Sequence, residues 1–353
     1  MKCSICIPNC NYERFLGRTI QSVLDQTDQD LEIVIADNAS TDGSVAVVRS
    51  FDDPRIRLQV NTCNIGLSAN LDRTGRMAVG DRMLMLSSDD LLRPDALASY
   101  RALFDALEPN AHRAVVTATW DVIDAEDRII GRKGPDRSIW TEADRVPHLD
   151  RIAGGPVYGV NAPDLLRRSL LRMRNPFNFA ATCYPRSAFE AVEGYACTRL
   201  FNPDKWFHWR LLTVLDRAYF VDRSLVAYRR HSYNQSAVQA STKTLKFSVD
   251  EYVSTLEVDD ALLAKLDLTR DQVIQAFVEF DVGRHGLATL ARNQRPRARR
   301  IWDFGRAVYP QFIRANRKAW LLRVLLSLGI VGQKLAQIAY RQYLKKTGRT
   351  DSD

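Results

Sequence analysis

The sequence predicts an α/β fold, in which a mostly parallel sheet is flanked by helices and followed by a helical C-terminal region. Through the first 120 residues, short apolar runs rich in Ile, Val and Leu alternate with segments whose apolar residues recur at helical spacing. Beyond about residue 241 only the helical spacing continues. Strand–helix alternation of this kind is typical of a parallel sheet, and such sheets bind ligands at the carboxyl ends of their strands.

The individual elements follow from these runs in order. Strands are predicted at residues 4–8, 31–36, 56–61 and 83–86, and helices at 15–26, 43–51 and 69–79. The second strand is almost entirely apolar, as expected when both faces of a strand are covered. Pro94 stands in the first turn of a further helix. Breakers such as Asn175-Pro176 predict less regular structure from 121 to 178, and strand-like and helical pieces resume from 180 to 230.

Length and cysteine usage limit the architecture further. With 353 residues and 46% hydrophobic content, the chain is expected to form two structural units, a catalytic domain at 1–236 and a basic helical region at 237–353. Cys3 and Cys6 have the spacing of half a zinc knuckle, but no second pair follows, so they are expected in a buried strand. The six cysteines show no disulfide framework, and no signal peptide is expected, which favours the cytoplasm.

The net charge of +8 is unevenly distributed. Residues 292–353 contain fifteen Lys or Arg and three Asp or Glu, whereas the preceding residues contain thirty-five and thirty-nine. The basic character therefore belongs to the C-terminal region. Because this charge lies beside Leu-rich helical sequence and the rest of the chain is net acidic, a nucleic-acid-binding protein is disfavoured.

Polar side chains follow three of the predicted strands. The first ends in Pro8-Asn9-Cys10-Asn11, the second in Asp37-Asn38-Ala39-Ser40-Thr41-Asp42 and the fourth in Ser87-Ser88-Asp89-Asp90. The sequence contains neither the dinucleotide-binding pattern G-x-G-x-x-G nor a P-loop. A bound nucleotide would therefore have to be held by side chains and by a metal ion.

These segments carry a family resemblance. They are Ser4-Ile5-Cys6-Ile7-Pro8-Asn9-Cys10-Asn11-Tyr12, Gln21-Ser22-Val23-Leu24-Asp25-Gln26-Thr27, the stretch 32–43, Asn64-Ile65-Gly66, Gly80-Asp81 and Ser87-Ser88-Asp89-Asp90. In this order they resemble the family 2 glycosyltransferases of GT-A fold, strongly over residues 3–110 and more loosely over 180–236. The linked motifs point to the superfamily and leave the donor and the acceptor open.

The resemblance implies a nucleotide-sugar site. The residues that it places at this site are Pro8, Asn9, Asn11, Asp37, Asn38, Ser88 and Arg229. Asp37 and Asn38 occupy the positions that grip the base and the ribose, although Asn38 departs from the commoner Asp. An amide oxygen can still accept a hydrogen bond from a pyrimidine N–H. The alternative is that Asp37, Asn38 and Asp42 only shape a turn and cap a helix.

The segment Ser87-Ser88-Asp89-Asp90 resembles the family's D-x-D motif, with Ser87 in place of the first Asp. The resemblance implies Mn²⁺ or Mg²⁺ at Asp89 and Asp90, because a divalent cation can neutralise a diphosphate leaving group. The late segment Tyr228–His231, followed by Ser236, is similar to one in which a His approaches the metal, so His231 is a third predicted metal ligand. The alternative for the two acids is a helix cap.

Asp204 is the predicted catalytic base. The segment Asn202-Pro203-Asp204 precedes an aromatic-rich stretch and resembles the family segment whose acid deprotonates the acceptor hydroxyl. Pro203 stands where a second acid is common. The alternative is an N-cap for the helix that holds Trp206 and Trp209, with His208 in packing or on the acceptor side.

The predicted function is an inverting glycosyltransferase that moves a sugar from a nucleotide-diphosphate donor, with UDP as the family's default, to a glycan or lipid-linked acceptor in surface polysaccharide synthesis. One alternative is a catalytically silent nucleotide-sugar-binding relative, suggested by Ser87 and Pro203. Another is a nucleotidyltransferase, but such an enzyme needs a Gly-rich, basic loop after the first strand, and Asn9-Cys10-Asn11-Tyr12 is not one. Two roles are open for the apolar and basic stretch 314–346. It is predicted either to bind an anionic membrane surface, on the inner face of the cytoplasmic membrane, or to pack as helices against protein, including a second copy of the chain.

Overall fold

The computed structural model describes residues 2–195, 200–231 and 245–347. The chain folds into two compact units, Met1–Ser169 with Arg174–Asn234 and Leu170–Met173 with Gln235–Asp353. The predicted domain boundary between 236 and 237 lies outside the described residues, as does Ser236 of the late motif.

The first unit contains all the described strands. They are β1 (Cys3–Asn9), β2 (Leu31–Asp37), β3 (Ile56–Val60), β4 (Arg82–Met85), β5 (Leu91–Leu92), β6 (Ala114–Ile123), β7 (Ile129–Lys133), β8 (Val157–Asn161), β9 (Thr182–Pro185) and β10 (Arg217–Arg229). Its helices are α1 (Glu13–Leu24), α2 (Ser44–Arg49), α3 (Leu67–Arg76), α4 (Ala96–Ala106), α5 (Asp150–Ala153), α6 (Ala162–Leu170), α7 (Arg186–Ala191) and α8 (Asp204–Val214). Three short 3₁₀ turns accompany them, Asn110–Arg113, Glu142–Asp144 and Pro147–Leu149.

The first four strands form the predicted parallel sheet. The strand order is β3-β2-β1-β4-β9-β6-β10-β5, and β1 pairs in parallel with both β2 and β4. Cys3 and Cys6 are buried in β1, as expected for small apolar residues of a covered strand. Because β1, β2 and β4 run in the same direction, the polar segments that follow them lie at one edge of the sheet.

The sheet as a whole is mixed. β9 pairs antiparallel with β4 and β6, β7 with β6, and β8 and β5 with β10. The prediction of a mostly parallel sheet holds for the first four strands and for the pair β6–β10. The segment 121–178, predicted to be less regular, contains the strands β7 and β8. The sequence did not predict these two strands, because the Gly and Pro residues of the segment form short turns that interrupt the apolar pattern.

The core packs α1 and α4 against the sheet. Leu16, Ile20 and Val23 of α1 are completely buried with Ile5 and Ile33 of the strands. The apolar spacing that predicted α1 therefore marks the face that it turns to the core. This packing places the middle of α1 beside the polar segment that follows β4, as Thr19 Oγ1 donates a hydrogen bond of 3.0 Å to the carbonyl of Ser88.

The second unit is helical, as predicted. Its helices are α9 (Lys246–Glu257), α10 (Asp260–Lys265), α11 (Arg270–Phe277), a π-helix (Val278–Arg284), α12 (His285–Ala291), α13 (Arg295–Val308), α14 (Pro310–Ala315), α15 (Arg317–Ser327) and α16 (Gly329–Thr347). Among the described residues, no helix combines the length and the apolar character that crossing a membrane requires.

Candidate active site

The ends of β1 and β2 are joined by a network of side chains. Asn9 Nδ2 donates to Asp37 Oδ2 at 2.7 Å, and Asp37 also accepts from the backbone N of Ser40 at 2.8 Å and from its hydroxyl at 2.7 Å. Asn11 accepts from the backbone N of Thr41 at 2.7 Å. Asp37 therefore shapes the turn after β2, which is the alternative role left open for it. Asn9 Oδ1 is buried and has no hydrogen-bond donor among the described residues.

Asn38 is the centre of a second network, built almost entirely from asparagines. Its Oδ1 accepts from Asn61 Nδ2 at 3.0 Å and from the backbone N of Ile65 at 2.9 Å, and its Nδ2 donates to Asn64 Oδ1 at 3.0 Å. Asn70 extends the network by accepting from Asn61 at 3.0 Å. Asn38 therefore holds the Asn64-Ile65-Gly66 loop in place, with its carbonyl oxygen and its amide both engaged.

Asp42 caps two helices. One carboxylate oxygen accepts from the backbone N of Ser44 and the other from the backbone N of Glu13, each at 3.0 Å. These N–H groups belong to the first turns of α2 and α1, which have no intrahelical acceptors of their own. These two hydrogen bonds support the alternative left open for Asp42, a role at the start of a helix.

Arg229 is a fully buried cation that holds the turn after β4. Its side chain is 0% exposed. Nε donates to the carbonyl of Asp89 at 2.7 Å, the backbone N donates to Asp90 Oδ1 at 2.8 Å, and the guanidinium pairs with Asp127. The guanidinium carbon also lies 4.9 Å from the ring centre of Phe15. Burial in this position lowers the pKa of Arg229. The structure therefore gives Arg229 a supporting role beneath the site.

Asp90 and Asp89 have different environments although they are adjacent. Asp90 is completely buried, and burial, followed by the nearby charge of Asp89, raises its pKa well above the usual range of a carboxyl group. One oxygen of Asp90 accepts from the backbone N of Arg229, whereas Asp89 Oδ2 lies against His231. Of the two predicted acids, Asp89 is therefore the one that adjoins another predicted ligand.

Asp89 lies against His231, the third predicted metal ligand. His231 Nε2 lies 2.9 Å from Asp89 Oδ2, and the His231 ring packs on Phe15 with 4.6 Å between ring centres. Because a carboxylate only accepts, Nε2 carries the proton here. Two neighbouring ligands of an octahedral Mg²⁺ are about 3 Å apart, so the observed separation fits a cation in place of this proton. The described residues contain no cluster of three or more such ligands, and a cation here would draw further ligands from water and phosphate oxygens.

Tyr12 connects the two parts of the site. It follows Asn11 directly, its backbone N donates to Ser44 Oγ at 3.2 Å, and its ring centre lies 6.0 Å from that of His231. The network after β1 and the Asp89–His231 pair are thus neighbours at one edge of the sheet. Pro8, half-buried, and Ser88, buried, belong to the same segments.

Asp204 is the first residue of α8 and belongs to a separate group. Asn175 Nδ2 donates to Asp204 Oδ2 at 2.9 Å, and Asn175 Oδ1 lies 2.8 Å from His208 Nδ1. The carboxylate requires the amide nitrogen on its side, so the amide oxygen faces His208 and the imidazole carries its proton on Nδ1. Burial lowers the pKa of His208 to about 3, which keeps the ring neutral.

Aromatic rings anchor the start of α8. Tyr195 and Phe207 stack with 4.1 Å between ring centres, and Tyr184 of β9 meets Phe207 edge-on at 5.6 Å. These contacts tie α8 to the sheet and limit the movement of Asp204 relative to β9. Asn175 was missed as a site residue because its dipeptide with Pro176 has the composition of an ordinary turn.

Residues 4–172 match the profile of a known family, Glycosyl transferase family 2. The chain carries a glycosyltransferase domain of family 2. The resemblance seen in residues 3–110 is thereby confirmed. The enzyme is 24% identical to an uncharacterized glycosyltransferase of Nostoc sp. over 349 residues, which cover 93% of this chain and 95% of the relative. It is also 24% identical to the putative glycosyltransferase EpsE of Bacillus subtilis, over 71% of this chain and 86% of EpsE.

The fold of this glycosyltransferase is also found in a solved structure. Residues 1–349 of S. aureus TarS, crystallised in complex with UDP-GlcNAc, superpose with a TM-score of 0.63 at 18% sequence identity, covering 97% of this chain and 92% of TarS 1–349. The predicted GT-A fold with a helical C-terminal region is confirmed. At 18% sequence identity, the comparison with TarS shows a shared fold and nothing further about this enzyme.

Proposed function

We propose that this glycosyltransferase moves a sugar from a nucleotide-diphosphate donor, UDP-linked by preference, to a hydroxyl group of a glycan or lipid-linked acceptor in polysaccharide synthesis, with inversion at the anomeric carbon. The observation that carries the proposal is the Asp89–His231 pair beside the network of Asn9 and Asp37, at the carboxyl end of the parallel strands. The complex of TarS with UDP-GlcNAc supports the choice of a UDP-sugar.

The donor would lie along this edge of the sheet. Asn9 Oδ1, the buried acceptor with no donor among the described residues, is suited to an N–H of the base, and Asp37 and Asn38 keep the surrounding turns in place. Pro8, Asn11 and Ser88 belong to the same polar segments and would lie beside the donor. Mn²⁺ or Mg²⁺ held by Asp89 and His231 would supply positive charge to the diphosphate. Arg229 would not contact the donor; its buried side chain holds the turn that carries Asp89.

Asp204 would act as the general base. It takes the proton of the acceptor hydroxyl while that oxygen forms a bond to the anomeric carbon. The bond between the anomeric carbon and the diphosphate oxygen breaks on the opposite side, and the nucleoside diphosphate leaves with the electron pair. A single displacement of this kind inverts the configuration. A positioned base contributes roughly 10²–10⁴ in rate.

The replacement Asp204→Asn tests this assignment. It keeps the shape of the side chain and removes the proton acceptor, so sugar transfer should be lost while donor binding remains. A thermal-shift screen of UDP-, GDP- and dTDP-sugars with Mn²⁺ first identifies the donor, and transfer to a glycan acceptor is then measured for both proteins. Undiminished transfer by the variant contradicts the role of Asp204. Donor binding without any turnover by the unmodified enzyme would instead favour a silent nucleotide-sugar-binding relative.

A further inference from the structure

Helices α15 and α16 carry an unusual concentration of exposed apolar side chains. Of the eighteen large hydrophobic side chains exposed among the described residues, eight lie between Trp320 and Tyr343. Ile330 is 70% exposed and Ile338 55%. A contiguous exposed apolar surface on a globular protein marks an interaction site. We give the name apolar–basic face to Trp320, Leu321, Leu328, Ile330, Val331, Leu335 and Ile338 together with the exposed Arg317, Arg323, Lys334, Arg341, Lys345 and Lys346.

These side chains are not required for packing of the helices. Leu322, Leu325 and Leu326 already bury one side of α15, and Ala336 lies on the buried side of α16. Gly332 lets α16 approach the backbone of α15, because a Cβ at this position would lie 2.0 Å from the carbonyl oxygen of Leu325. Each helix therefore has a buried side, and the apolar–basic face is a second, outward side.

The basic residues are interleaved with the apolar ones. On α16, Val331, Leu335 and Ile338 are spaced by four and three residues and share one side of the helix. Lys334, Arg341 and Lys345 are spaced by seven and four residues and form an adjacent row, within three, four or seven residues of Ile338. All six side chains are exposed. Residues 317–347 contain seven Lys or Arg and no Asp or Glu.

We propose that the apolar–basic face docks on an anionic lipid surface, with its aliphatic side chains among the acyl chains and its Lys and Arg residues at the headgroups. Helices that lie in the plane of a membrane combine an apolar side with flanking Lys and Arg in this way. Trp320 belongs to the residue types that prefer the boundary between headgroups and acyl chains. The inference is independent of the donor, of the metal ion and of Asp204.

Charge complementarity favours lipid over a second copy of the chain. A symmetric dimer through this face would place the same surface on both partners, so its six exposed cations would meet six cations. The seventh, Lys318, pairs with Glu279 outside the segment. Nucleic acid would satisfy the cations, but it offers no apolar surface for Ile330, Val331 and Ile338. An anionic bilayer satisfies both requirements at once.

Flotation of the full-length chain with vesicles tests the proposal. Binding is expected to vesicles that contain phosphatidylglycerol in phosphatidylcholine, with much weaker binding to phosphatidylcholine alone. The variant Ile338→Asp should lower the partition coefficient by about tenfold or more, because it removes an aliphatic group and adds a repelled charge. The matched control is Ile130→Asp on β7, whose side chain is 57% exposed and lies in the other unit; its binding should equal that of the unmodified chain.

The charge contribution is tested separately. Replacing Lys345 and Lys346 by Gln should lower the partition coefficient by about fivefold for each residue, and 1 M salt should weaken binding further by screening. Sedimentation of each protein reports self-association, and thermal melting confirms that each variant is folded. Equal flotation of Ile338→Asp and Ile130→Asp would overturn the proposal, as would a dimer that Ile338→Asp dissociates in a chain that does not bind vesicles.

Discussion

Asn175 Nδ2 donates a hydrogen bond of 2.9 Å to Asp204 Oδ2, and this contact joins the segment before β9 to the first residue of α8. The other end of the same amide faces His208 at 2.8 Å. Because His208 donates its Nδ1 proton to the amide oxygen, the amide cannot rotate without losing both contacts. The buried, uncharged His208, one helical turn after Asp204, therefore helps to hold the Asn175 amide that contacts the Asp204 carboxylate.

Replacement of Asn175 by Ala should reduce turnover more than donor affinity. The carboxylate of Asp204 remains but loses its orienting donor, and misplacement of a catalytic group by about 1 Å can cost roughly 100-fold. We expect kcat to fall by about 10- to 100-fold with the KM for the donor nearly unchanged. Asn161→Ala is the control, since Asn161 Nδ2 also contacts a carboxylate, that of Asp164 at 3.4 Å, on the exposed edge of β8. Equal kinetics for the two variants would argue against a positioning role.

The stability of the protein should fall in mild acid because of His208. Burial lowers its pKa from the ordinary 6.5 to about 3. Between these values the unfolded chain binds a proton at this residue that the folded chain does not, so the free energy of unfolding falls as the pH falls. The expected slope is about 1.4 kcal/mol per pH unit from this residue, and above about pH 7 the contribution vanishes.

The variant His208→Gln isolates this contribution, because Gln can still donate to Asn175 but does not titrate. Urea unfolding between pH 4.5 and 6.5 should show a shallower decline for the variant than for the unmodified protein. His148→Gln, which alters an exposed histidine, serves as the control. Parallel pH profiles for His208→Gln and the unmodified protein would contradict the burial of His208 as the cause.

Arg229→Met should destabilise the fold and the site together. The change removes a buried cation that binds the carbonyl of Asp89 and pairs with Asp127. Breaking a buried ion pair by removing one partner costs about 3–5 kcal/mol. Arg230, the next residue, is exposed, and Arg230→Met should change the free energy of unfolding by less than about 0.5 kcal/mol. Urea unfolding measures both, and a loss below about 1 kcal/mol for Arg229→Met would be inconsistent with the structural role.

Asp89→Asn should remove the dependence of donor binding on metal ion. The neutral amide is a poorer ligand for Mn²⁺ or Mg²⁺ than a carboxylate. In a thermal-shift titration with UDP, added Mn²⁺ should stabilise the unmodified enzyme and leave the variant nearly unaffected, and EDTA should abolish transfer by the unmodified enzyme. Asp81→Asn, at the opposite end of β4, should behave like the unmodified enzyme. Retention of the Mn²⁺ effect in Asp89→Asn would exclude Asp89 as the ligand.

Several features of the molecule follow from local sequence alone. The strands β1 to β4 and the helices α1 to α4 have apolar spacings that depend only on neighbouring residues, and their predicted positions agree with the structure within a few residues. The parallel order of β1, β2 and β4 then brings Asn9, Asp37 and Asp89 to one edge, because residues that follow parallel strands emerge on the same side. The contact of Asp42 with the backbone N of Ser44 likewise needed only the local pattern, whereas its contact with Glu13 spans 29 residues.

Other features were decided by the tertiary structure. Asp89 and Asp90 were both predicted as metal ligands, and only the tertiary structure shows that Asp90 accepts from the backbone N of Arg229 while Asp89 lies against His231. The resemblance placed Arg229 at the nucleotide-sugar site, whereas in the structure its side chain is 0% exposed and binds the carbonyl of Asp89. Asn175 meets Asp204 across 29 residues through the packing of α8 on β9. Burial and long-range contacts set the electrostatics of each group, and neither quantity is contained in the residues that adjoin it in the chain.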